Sequence, residues 1–328
     1  MPVLRFAHRA QLPALRALLT EGRPLPHDDA TTAAALYHRL EGYAVRADPT
    51  SPLRTAHRHS AMAAALVRAQ LREAAAAIAQ ATGAPPVLVK GPAAAALHDT
   101  PDLRPFGDLD LVVDKPALRT ATTALQAAGW ELGQAPRMGV EGGEPWRGFA
   151  EAYGHELGLV RRIGARAAAL ELHWRLVDDP RADALDRAVL GRDGAELDGA
   201  VVPAAPELLL ALALHLVAHP DRRLMMVKDV ALAAGAAGDS LERAFTVAGE
   251  LGLAWELQLA LDAVEDQLGV AVQRFGPRPA KPPLGPLRTA LWPGPRPFGV
   301  HVGRLAGLQG AERLRYLGAG LRTLRPRR

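Results

Sequence analysis

Between residues 87 and 174 the chain abandons helical periodicity, and that interruption sets the fold class. Val87-Leu88-Val89 is a short apolar, β-rich run that ends at Lys90-Gly91, as a strand entering a turn does. Pro92 to Leu97 suits a short helix, since proline is tolerated in the first turn. Thr100 to Gly107 carries two prolines and reads as a loop. Asp108 to Val113 alternates and then turns apolar, the pattern of a strand running into a core. Pro116 to Ala128 is helical, closed by Gly129, and Trp130 to Leu132 returns as a strand. His155 to Ile163 and Arg166 to Trp174 read as two more strands, joined as a hairpin at Gly164-Ala165. Strand, helix, strand, helix, strands implies a mixed sheet carrying helices.

Helical patterns flank this stretch on both sides. Gln11 to Leu19, Asp28 to Leu40 and Ser60 to Ala79 have apolar residues at helical spacing, with a loop expected over Ala47 to Arg58. Beyond Asp183 the expected helices are Pro206 to His219, Asp221 to Ala234, Leu241 to Ala248 and Leu253 to Leu268. Glu131 to Gly154 is rich in Gly and Pro and reads as an exposed loop. Gly276 to Gly299 holds eight prolines, and Gly303 to Leu324 reads as a basic helix. The expected fold class is α+β. Its divisions are an N-terminal helical segment (1–82) packing on the core, a sheet-bearing core (83–180), a helical domain (181–275), and a Pro-rich linker with a basic helix (276–328).

Composition narrows the chemistry. The 328 residues suffice for about two domains. There is no cysteine, which excludes a disulfide scaffold, a thiolate metal site and a cysteine nucleophile. The net charge of +4 is uneven: Leu287 to Arg328 holds nine arginines against one acid, Glu312. That tail suits an anionic partner such as a phosphate backbone, or is simply solvated charge. Arg5, His8 and Arg9 precede no long apolar run, and the longest apolar stretch, Leu208 to Ala218, is too short to span a bilayer and contains His215. A cytoplasmic protein without a membrane span is the expectation.

The sharpest chemical feature is Asp108-Leu109-Asp110. Residues two apart in a strand point to one side, so both carboxylates project together. Such a pair suits an oxygen-seeking divalent cation, or else a solvated strand edge. Lys90 and Gly91 sit where backbone amides and an amine can meet phosphate. Arg104 can fork onto phosphate or fix a carboxylate. In Ala169-Leu170-Glu171-Leu172-His173-Trp174, Glu171 and His173 share one strand face. If this strand lies beside the first, Glu171 becomes a third carboxylate of the same site, and His173 can bond phosphate or a carboxylate. His215 and His219 share a helix face; they read as zinc ligands or as satisfied histidines at the lip of a core. Lys228 and Asp229 follow an apolar run and either face a cleft or pair locally. Trp146 and Trp174 can stack a base, with Trp174 otherwise in the core.

These residues together carry a resemblance. LVKGPAAAALHDTPDLRPFGDLDLVV, then LELHW, then LLLALALHLVAHPDRRLMMVKDV resembles the uncharacterised nucleotidyltransferase family of the polymerase-β-like superfamily, over roughly Leu66 to Ala234. The resemblance implies that Asp108, Asp110 and Glu171 are the catalytic metal carboxylates. It implies that Lys90, Gly91, Arg104 and His173 belong to the site, and that His219 and Asp229 match polar positions of the helical part. It implies Mg²⁺ or Mn²⁺, a nucleoside triphosphate substrate, and two-metal transfer of a nucleotidyl group with release of pyrophosphate. The helical part, with Lys228 and Asp229, would form the other wall of the cleft. The acceptor would be a small molecule, peptide or protein. The alternatives are an RNA acceptor or a non-catalytic nucleotide binder. One departure stands out: where the superfamily carries a second glycine or a serine, Gly91 is followed by Pro92, which has neither hydroxyl nor N–H.

Overall fold

Alternation in Asp108 to Val113 demands a strand with one apolar and one polar face, and the chain builds its sheet around that demand. The computed structural model describes residues 6–133, 155–177, 185–219 and 222–279. In it a mixed seven-stranded sheet is formed by β1 (Val87–Leu88), β2 (Asp108–Val112), β3 (Glu131–Leu132), β4 (Glu156–Ile163), β5 (Arg166–His173), β6 (Ala195–Leu197) and β7 (Ala200–Val202). Their order across the sheet is β3-β4-β5-β2-β1-β7-β6. The expected hairpin closes at Gly164-Ala165, giving an antiparallel β4–β5 pair with Ile163 opposite Arg166 and Glu156 opposite His173. β2 lies parallel to β5 and antiparallel to β1. On one sheet face Leu109, Leu111, Leu170 and Leu172 are fully buried. By the period of two, the acidic residues take the other.

The N-terminal helices are α1 (Leu12–Glu21), α2 (Asp29–Tyr37), α3 (Glu41–Ala47), α4 (Arg54–Ala69) and α5 (Leu71–Thr82). The single helix expected over 28–40 stops at Tyr37, because Arg39 takes a left-handed φ of 62°. The loop expected over 47–58 is shorter, since α4 already begins at Arg54, and Gln70 separates α4 from α5. A one-turn α6 (Pro92–Ala95) follows β1, and α7 (Leu118–Ala127) follows β2 and packs on α5. Leu71, Ala74, Ala75 and Ile78 of α5 and Leu118, Ala121 and Leu125 of α7 are buried at helical spacing.

Past β5 the chain forms α8 (Arg187–Leu190), the β6–β7 hairpin, α9 (Ala205–Ala218), α10 (Leu224–Ala237), α11 (Leu241–Glu250) and α12 (Ala254–Leu268). Every residue of α9 from Pro206 to Leu214 is buried, so it is the axis of the helical part, packed on α10, α11 and α12. The β6–β7 hairpin is an addition to the expected helices. Asp198 and Gly199 at its turn have φ of 51° and 84°, the left-handed pair that a tight two-residue turn requires. No helix among the described residues is long and apolar enough to cross a membrane. Trp146, most of the 131–154 loop, the prolines from residue 282 onward and the basic 303–324 segment lie outside the described residues.

Candidate active site

The register of β2 against β5 decides the geometry. Asp110 sits opposite Glu171 and Asp108 opposite Ala169, with Gly158 of β4 opposite Glu171 on its other side. The small neighbours leave the three carboxylates room on one face. β1 feeds the same place: Val89 N–H donates to Asp110 O at 3.3 Å, and the next residue, Lys90, sends its amine onto Asp110 Oδ1, 3.9 Å from Glu171 Oε2. Gly91 then turns with φ 52°, and a Cβ there would stand 3.0 Å from Asp108 O. The turn needs glycine twice over, for its backbone angle and for its closeness to β2.

His173 closes the cluster. It is 1 % exposed, and its Nε2 donates to Asp110 Oδ1 at 3.2 Å and lies 3.5 Å from Glu171 Oε2. Cross-strand from it is Glu156, whose Oε2 is 3.1 Å from His155 Nε2.

The electrostatics follow from four carboxylates facing fewer cations. Repulsion from Asp110, then burial, then Glu171 push Asp108 up to about 6. Burial disfavours charge on Asp110, but Lys90 and His173 outweigh it and hold that carboxyl below its ordinary value. Burial likewise opposes ionisation of Glu171, and the His173 hydrogen bond with the Lys90 charge overcomes it. For His173 burial works against the cation, yet Asp110 and Glu171 raise it to about 9. Lys90 is raised as well: its desolvation is exceeded by the pull of Asp110 and Glu171. The strain left on Asp108 is what a bound divalent cation relieves, and Asp108, Asp110 and Glu171 are all oxygen donors. Donor atoms of Asp110, Glu171 and His173 lie within 4.8 Å of one another. Two of that group are carboxylates, the donors a cation of the Mg²⁺ class takes, and Asp108 stands two residues from Asp110 on the same strand.

The remaining site residues expected from sequence are placed differently. Arg104 forks onto Asp229, Nε at 3.1 Å and one terminal nitrogen at 2.9 Å from Oδ2. Asp229 Oδ1 also accepts from His98 Nε2 at 2.9 Å, and His98 Nδ1 accepts from Tyr43 OH at 2.7 Å. The network is buried and joins α3, the loop before β2 and α10. Lys228 points elsewhere, donating to Leu19 O of α1 at 3.3 Å. Burial, then the charge of Lys90, hold the imidazole of His215 well below its ordinary value, and its ring stands edge-on to His219 at 5.1 Å. Trp174 is buried.

Sequence reasoning passed over five residues that the fold brings to this region. Glu156 was recoverable, because a hairpin closed at 164–165 counts back to Glu156 opposite His173. His155 follows from it. His98 gave no periodic signal. Arg39 and Arg223 are brought together by His38, whose Nδ1 accepts from Leu224 N–H at 3.1 Å and so pins the Arg39 turn to the start of α10. Both guanidinium Nε atoms are buried without a hydrogen-bond partner. The charge on Arg39 senses Arg223, Arg104 and Asp108.

Comparison with curated proteins and with solved structures returns no match. A family model described as uncharacterised nucleotidyltransferase matches residues 28–269, which take in every residue of the carboxylate cluster, the seven strands and the helices from α2 to α12. Nucleotidyl transfer is the reaction class that this membership implies, and the chain belongs to the uncharacterised nucleotidyltransferase family.

Proposed function

We propose that this chain transfers an NMP group from a nucleoside triphosphate to a hydroxyl of a small molecule, peptide or protein, releasing pyrophosphate. One observation carries the reading: Asp108, Asp110 and Glu171 project from adjacent parallel strands in register, with Lys90 among them. Asp108, Asp110 and Glu171 are the residues to hold Mg²⁺ or Mn²⁺. When bound, such a cation lends Lewis acidity to phosphate oxygens and lowers the pKa of an acceptor hydroxyl.

The protein's own groups do the rest. Lys90 and His173 keep Asp110 ionised and oriented, so the site is organised before substrate arrives. Glu171, ionised and partly open to solvent, is assigned to the acceptor hydroxyl and its proton. Pro92 supplies no N–H, so the triphosphate leans on cationic side chains. Arg39 and Arg223, with buried unpaired Nε atoms, are the groups offered for it. Arg104 acts through Asp229 as a positioning residue for the loop that leads into Asp108. The helical part from residue 181 is the other wall of the cleft.

Pro92 also favours a second reading, a binder of nucleotide without turnover. One experiment separates the two. The full chain is incubated with each NTP, Mg²⁺ or Mn²⁺ and a host extract, and pyrophosphate release and mass gain of one NMP are recorded. Turnover that disappears in Asp110→Asn is expected. Full transfer by Asp110→Asn overturns the enzymatic assignment, and saturable binding without pyrophosphate establishes the second reading.

A further inference from the structure

Beside the carboxylate cluster lies a donor group of which nucleotidyl transfer uses only His173, and that through its other ring nitrogen. Glu156 Oε2 is 3.1 Å from His155 Nε2 and 3.9 Å from His173 Nδ1. One donor atom from each of the three residues falls within 4.8 Å of the other two. The two imidazole rings are 5.9 Å apart, centre to centre. The Nε2 of His173 is occupied by Asp110, yet its Nδ1 is buried with no hydrogen-bond partner. At 3.9 Å the Glu156 oxygen is too far to satisfy it. A buried polar atom in that condition is costly unless something else completes it. The side chains of His155 and Glu156 keep 25 % and 24 % exposure, so the group opens to solvent on one side.

Two imidazole nitrogens and one carboxylate oxygen are the donors of zinc-class cations rather than of Mg²⁺. Tetrahedral bonds of about 2.0–2.1 Å put neighbouring ligand atoms about 3.3 Å apart, between the two distances seen here. A metal-bound histidine characteristically donates its other ring N–H to a carboxylate, as His173 does to Asp110.

We propose that His155 Nε2, Glu156 Oε2 and His173 Nδ1 form a second cation site, for a zinc-like transition metal, with one position open to solvent. It is separate from the all-oxygen set of Asp108, Asp110 and Glu171 and touches it through a single imidazole. It rests on the donors alone and stands whether or not NMP transfer is the reaction.

The test uses the full chain, stripped with a chelator and titrated with Co²⁺ in excess Mg²⁺. The visible absorption of Co²⁺ reports nitrogen ligation and low coordination number, and Zn²⁺ is then added as competitor. A saturable single equivalent, displaced by Zn²⁺ and retained in Asp108→Asn, is expected. Glu156→Gln and His155→Gln should each weaken it on the order of 100-fold or more, beyond what loss of an outer partner does. Whichever of these two variants keeps the native circular dichroism decides the matter. No saturable Co²⁺ in the presence of Mg²⁺ overturns the proposal. So does Co²⁺ that is lost in Asp108→Asn and unaffected in the Glu156 and His155 variants.

Discussion

Replacing Asp108 by asparagine should make the metal-free protein more stable, although it removes a group assigned to the site. Repulsion from Asp110 raises the Asp108 carboxyl from the ordinary 3.8 to about 6. The folded chain therefore holds that proton more tightly than the unfolded chain between these values. Relative to a neutral side chain, stability is intact below about 3.8 and is lost as pH rises through about 6. The difference corresponds to about 3 kcal/mol at neutral pH. A buried asparagine amide still loses some hydration, so the net gain of Asp108→Asn is about 2 kcal/mol. Urea unfolding of chelator-treated protein measures it directly. The gain should be present near pH ~7, vanish or turn into a slight loss near pH ~4, where the charge effect falls to about 0.5 kcal/mol and the amide cost remains, and be offset by added Mg²⁺, which stabilises only the chain that binds it. A variant no more stable than the parent at neutral pH, or a gain independent of pH, would refute the reasoning.

Asp229→Ala strands the buried Arg104 guanidinium and should cost about 3–5 kcal/mol, whereas Arg104→Met combined with Asp229→Leu recovers most of it; simple additivity in a denaturation cycle contradicts this. Gly91→Ala must adopt a φ of 52° and meet Asp108 O at 3.0 Å, so about 1–2 kcal/mol is lost from the backbone angle alone and NMP transfer falls further; an unchanged Tm would dismiss it. His38, desolvated by burial, stays neutral in the folded chain down to about 4. The unfolded chain takes up its proton first, so stability rises with pH between about 4 and 6.5 and levels off above, and His38→Asn should flatten that slope in urea titrations.

The strands that carry the carboxylates were readable because period-two alternation and a Gly turn are local signals. From them the neighbourhood of Asp108, Asp110 and Glu171 needed one assumption, that β2 and β5 are adjacent. Helix ends were less legible. Arg39 breaks a helix through a left-handed φ that its side chain does not announce. The Tyr43–His98–Asp229–Arg104 network spans residues up to 186 apart in the wider pinning of α10, and no spacing rule links partners that far along a chain. The β6–β7 hairpin had a local signal, Asp198-Gly199, masked by the helical stretches around it.

That hairpin has a role beyond its size. β7 runs parallel to β1, with Val87 beside Val201 and Val201 N–H donating to Pro86 O at 2.9 Å. A fragment that ended at residue 180 would leave β1 a bare margin, with unpaired peptide groups one strand away from Asp110. The later half of the chain thus seals the rim on which the earlier half builds its chemistry. A minimal catalytic fragment of this protein must extend past Val202, or it will seek a foreign strand to finish its sheet.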